Sequence, residues 1–60
     1  PLIDGAAASF LLVDDNEPFL ELLEAFVLRH YPKARVARAT TGEQALDRLS
    51  AGPFDVVCVG

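Results

Sequence analysis

The chain has one cysteine, no methionine, no tryptophan and only five basic side chains among its 60 residues. A single cysteine, Cys58, excludes an internal disulfide and fits a reducing compartment, so a cytoplasmic setting is expected. Nine acidic residues against five basic ones leave a net charge of −4, which argues against direct nucleic-acid binding by this segment. No apolar run approaches the roughly 20 residues needed to cross a bilayer, so no membrane partner is expected. The start lacks the basic flank and long apolar region of a signal peptide. The four glycines form no phosphate-binding pattern. Neither GxGxxG nor GxxxxGKS/T occurs, which leaves Gly42 and Gly52 as caps or turns rather than a phosphate cradle. With no initiator methionine, an opening on Pro1 and an abrupt stop at Gly60, the chain is expected to be a fragment.

What is present is an excess of apolar residues. They make up 52% of the chain, with 23% charged and a mean hydropathy of +0.30. A chain this short buries only about 60% of the surface it exposes when unfolded, so this composition exceeds what its own core can hide. Pro1 to Ser9, with three consecutive alanines, reads as a linker or appended stretch, and residues 10–60 as the folded part.

Phe10-Leu11-Leu12-Val13 is a short apolar run that ends on Asp14-Asp15-Asn16, the pattern of a buried strand bounded by turn-formers. Asn16-Glu17-Pro18 supplies a capping side chain, an acid for the helix dipole and an early proline. Phe19, Leu22, Leu23, Phe26, Val27 and His30 then follow the spacing of one helical face, with Glu17, Glu21 and Glu24 opposite. On that wheel Leu20 and Leu28 fall toward the glutamates, and exposure is expected for both. Pro32 ends the helix. Ala34 to Ala39 forms a weaker strand. Thr40 and Thr41 can cap a second helix with Glu43 or Gln44 as the reciprocal partner; Ala45, Leu46 and Leu49 would be its buried stripe, and Gly52-Pro53 its end. Phe54 to Val59 is a third strand, apolar on both faces. The order β-α-β-α-β with apolar strands implies an α/β fold, a partial doubly wound parallel sheet with strand order 2-1-3.

In such a sheet, ligands bind outside the carboxyl ends of the strands where the strand order reverses. Strand 1 ends there on Asp14 and Asp15, and strand 3 on Gly60. Adjacent carboxylates repel unless a cation sits between them, and Mg²⁺ is the natural candidate. The alternative reading is that one of the pair does no more than cap the helix.

Three segments together resemble the first half of a response-regulator receiver domain, of flavodoxin-like or CheY-like fold. They are Phe10-Leu11-Leu12-Val13-Asp14-Asp15-Asn16-Glu17-Pro18, the Ala39–Leu49 segment with its Gly42 and Ala45-Leu46, and Phe54-Asp55-Val56-Val57-Cys58-Val59. The resemblance implies a signal-transduction domain of a two-component system. It implies Asp14 and Asp15 as Mg²⁺ ligands, a histidine kinase as phosphoryl donor and an effector protein downstream. It also places the phosphoacceptor at position 60, where this chain has glycine. Glycine neither accepts phosphate nor ligates metal, so the expectation is weak Mg²⁺ binding, if any, and no phosphorylation on this chain. Either the parent is a degenerate receiver, or Gly60 marks a register shift or an engineered change. Asp55 cannot substitute, because it lies at the other end of the strand, roughly 16 Å away.

Two rival readings stand beside this one. The first is a Mg²⁺-dependent phosphatase similar to the haloacid dehalogenase family, although those enzymes typically use D-x-D and the acids here are contiguous. The second is a structural, designed or truncated half-domain. The single His30 is read as a packed or capping residue, and Cys58 as an inert buried thiol. The basic cluster Arg29, Lys33, Arg35 and Arg38 is read as solvated surface. An uncovered edge of strand 3 predicts self-association or binding of a missing half-domain.

Overall fold

The computed structural model describes residues 7–60. It consists of β1 (Ser9–Val13), α1 (Glu17–His30), β2 (Arg35–Ala39), α2 (Gly42–Ala51) and β3 (Val56–Val59). The three strands are parallel in the order β2-β1-β3, so the predicted α/β architecture is the one observed. Residues 1–6 of the expected linker lie outside the described residues. Its last part is not linker: Ala8 is buried in the core and Ser9 opens β1.

β1 is central because both neighbours pair with it without slip, Ser9 opposite Arg35 through Val13 opposite Ala39, and Phe10 opposite Val56 through Val13 opposite Val59. The chain moves from β1 outward to β2, then back across to β3. Right-handed crossovers in opposite directions put α1 and α2 on opposite faces of the sheet. Alternate β1 residues serve the two faces. Phe10 and Leu12 join Ala8, Leu20 and Val27 in the α1-side core, with Leu23, Ala34, Val36, Val56 and Cys58 packed against it. Leu11, fully buried, points to the α2 side.

Both helices are capped as their sequences predict. Asn16 Oδ1 accepts from Phe19 N at 3.0 Å, and Tyr31 N closes the last turn of α1 on Val27 O at 2.7 Å. Thr41 Oγ1 accepts from Gln44 N at 3.1 Å. Of the two candidate partners it is Gln44 that reaches back, and its Oε1 takes both the N–H (2.8 Å) and the hydroxyl (3.0 Å) of Thr40.

Which helical residues are buried departs from the sequence reading. The α1 residues facing the sheet are Leu20 and Val27, whereas Phe19, Leu22 and Phe26 are exposed. Leu20, expected on the exposed glutamate side, is fully buried. Glu24 lies beside it and is drawn over β2 by Arg38, Nε to Oε1 at 3.2 Å. In α2 no residue is buried, and Leu46 and Leu49, expected to form its inner stripe, are exposed. Three strands make too narrow a floor to cover the full apolar arc of either helix.

Candidate functional site

The strand order reverses between β1 and β3, so the crevice for a ligand opens at their carboxyl ends. Two backbone bonds fix this end of the sheet. Asp14 N donates to Ala39 O at 3.1 Å, and Gly60 N donates to Val13 O at 2.9 Å. Asp14 and Gly60 are thereby held side by side, as the counting of residues predicts. The residue that follows β3 beside the acid pair is a glycine.

Asp14 is not free at both oxygens. Its Oδ1 accepts from Asn16 N at 2.9 Å, a local turn that leads into the α1 cap. Its other oxygen lies over Gly60. A Cβ placed on Gly60 would stand 3.2 Å from Asp14 Cγ and well inside contact with Asp14 Oδ2. The half-buried carboxylate of Asp14 thus fills the space that a side chain at position 60 would need. Asp15 is exposed.

Among the described residues, no group of three or more His, Cys, Asp or Glu side chains comes together to hold a metal ion. Asp14 and Asp15 are two carboxylates with one oxygen already engaged and no third protein ligand among the described residues. Because Mg²⁺ dehydrates reluctantly, such a set does not fit a tightly held ion.

The remaining acid of the third segment is accounted for structurally. Asp55 precedes β3 at the opposite end of the sheet, where its Oδ2 accepts from Ser9 N at 2.8 Å and its own N–H donates to Ser9 O at 2.9 Å. It ties the start of β3 to the start of β1.

A cleft beside the carboxyl end of β2 is lined by Glu17, Thr40, Gln44 and Arg48, with Arg38 at its edge. It does not include the acid pair, and apart from Glu17 its charged and amide side chains have partners: Gln44 with Thr40, Arg38 with Glu24, and Arg48 Nε with Arg38 O at 3.3 Å. A second groove, between α1 and β3, is lined by Phe10, Leu23, Phe26, His30, Tyr31 and Cys58. There Phe10 stacks on Tyr31 and the exposed His30 leans on Phe26, with centroids 5.6 and 4.6 Å apart. Cys58 is half-buried rather than enclosed, so its thiol is more accessible than an apolar strand suggests.

Compared with family models, with curated proteins and with solved structures, the chain finds no match.

Proposed function

We propose that this chain is a receiver-type signalling module that acts through protein contacts and takes no phosphoryl group at position 60. The observation that carries the reading is the placement of Asp14 at the carboxyl end of the central strand, at the reversal of strand order, directly beside Gly60. That is the position in which the receiver resemblance sets an acid pair and a phosphoacceptor. With glycine there, no carboxylate stands ready as a nucleophile next to the acid pair. A phosphatase-like reading needs a free nucleophilic aspartate, and Asp14 has one oxygen bound to Asn16 N and the other against the backbone of position 60.

Incubation with acetyl phosphate and Mg²⁺, followed by intact-mass measurement, tests the reading. The chain is expected to gain no phosphoryl group. A phosphoaspartate mapped to Asp14, Asp15 or Asp55 would overturn it. Under the same reading, Mg²⁺ moves the amide resonances of residues 14–16 only at millimolar metal. Saturation at low micromolar metal would show that two carboxylates suffice.

A further inference from the structure

Among the described residues, the exposed large apolar side chains gather toward β3. Leu20 and Val27 of α1 face the sheet, and Glu24 leans to β2 and its Arg38. The opposite flank of the helix carries Phe19 and Phe26, 46% and 60% exposed, turned toward β3, with Leu22 next to them at 71%. On the other face α2 lies over β2 and β1. Val57 and Val59 are therefore left 46% and 76% exposed beside Leu46 and Leu49. These seven residues amount to about four fully exposed large apolar side chains, on the order of 600–800 Å². A typical monomer's largest apolar patch is about 300–600 Å², whereas one side of a standard interface needs about 800 Å². The β2 edge is different. It carries the exposed Arg35 and Arg38, charges that discourage strand addition.

The backbone of β3 narrows the geometry further. Gly60 N donates inward to Val13 O, so by the two-residue alternation of a strand Val56 and Cys58 also turn their backbone groups to β1, and Val57 and Val59 turn theirs outward. Asp55, just before the strand, spends its N–H inward on Ser9 O. Only Val57 and Val59 are left as free edge residues of the strand. A two-fold axis normal to the sheet can pair this edge with itself about Val57, Cys58 or Val59, and about Val59 it leaves Val57 without a partner among the described residues. Centred on Val57, it needs an outward N–H from Asp55 that is already used. Centred on Cys58, it joins Val57 of each copy to Val59 of the other and satisfies both edge residues twice over.

We infer that two copies of this chain join edge to edge through β3, antiparallel, with Cys58 facing Cys58 across the two-fold axis in one continuous six-stranded sheet. The axis keeps both α1 helices on the same face. With strands about 4.8 Å apart, helices centred over the two β1 strands stand roughly 14 Å apart, a gap that Phe19 and Phe26 fill from each side. A second copy suits this strip better than a charged partner does, because the strip carries no charge to recognise one and is matched in length and character to itself. Growth stops at two, since the edges left over are the arginine-bearing β2 strands.

The test uses the whole 60-residue chain at physiological ionic strength. Sedimentation equilibrium is expected to show a reversible monomer–dimer equilibrium. Val59→Lys, at a position too exposed to disturb the fold, should weaken association at least tenfold with unchanged circular dichroism. Arg35→Ala, on the other edge, should leave it unchanged. Cys58 reports the register. A central non-hydrogen-bonded pair sets its Cα atoms about 4.5 Å apart, within the roughly 4.4–6.8 Å that a disulfide spans, so diamide can take one hydrogen from each thiol and close an intermolecular disulfide. A covalent dimer at low micromolar protein, absent in Cys58→Ser, is the expected product. A folded monomer at high micromolar concentration, an assembly larger than two, a dimer indifferent to Val59→Lys, or a dimer that diamide fails to link would each overturn the inference. The outcome of the phosphorylation experiment has no bearing on this one.

Discussion

Asp14 and Gly60 are the residues on which the candidate site turns. Their adjacency was legible in the sequence, because strand lengths and the 2-1-3 order bring the ends of β1 and β3 together. The direction of the Asp14 carboxylate was not. It depends on the bond from Asn16 N, and the same Asp-Asp-Asn string is compatible with either acid serving the helix cap. Gly60→Ala tests the arrangement. The new Cβ must displace Asp14 Oδ2 and with it the Asn16 bond, a loss of about 0.5–1.5 kcal/mol. Restricting the unfolded chain returns up to about 0.4–1 kcal/mol. Stability should therefore change by less than about 1 kcal/mol, while the Asn16 amide resonance shifts and its hydrogen exchange accelerates. An unmoved Asn16 amide would mean that the carboxylate does not lie over position 60.

The helices show what periodicity can and cannot reveal. In α1 the periodicity marks the apolar arc but not which part of it meets the core. The core direction is set by β1 beneath Leu20 and Val27, with Arg38 holding Glu24 on one flank; the middle of the arc, at Phe26, points sideways. Leu20→Ala should cost about 2–5 kcal/mol, enough to unfold a domain of this size, whereas Leu22→Ala should stay within about 0.5 kcal/mol. Urea unfolding at low protein concentration, where monomer dominates, separates the two. In α2 no residue is buried, and besides its cover over Leu11 it is held by Gln44, Thr40, Thr41 and the Arg48–Arg38 bond. Its amides should exchange fastest among the regular elements and those of β1 slowest. Thr41→Ala, worth about 1 kcal/mol as a lost cap, should widen that difference. Equal protection in α2 and β1 would show that the second helix is held by more than its start.

For the molecule as a whole, the sequence made the architecture readable and left the distribution of its surface hidden. A mean hydropathy of +0.30 shows that apolar residues are in excess, but only the sheet shows that the excess gathers beside β3 while charge gathers at β2. If β3 is the contact between copies, association stabilises only the folded chain and the melting temperature rises with concentration. Val59→Lys should flatten that dependence without lowering the melting temperature measured at high dilution. A midpoint that does not move across a hundredfold range of wild-type protein would contradict it.

The central position of β1 also bears on how the chain reaches this state. The strand made first is the one that needs every later element. Its outer partners arrive with Arg35–Ala39 and then, last of all, with Val56–Val59. The bond from Ser9 N to Asp55 spans 46 residues. Closing contacts that distant in sequence is slow relative to forming either helix. Between the synthesis of Phe10 and that of Val59, Leu11 and Leu12 have no finished sheet to enter and stay open to other chains. Refolding yield should therefore fall with protein concentration more steeply than the stability of the folded chain implies, and shortening β3 should do more harm than removing α2.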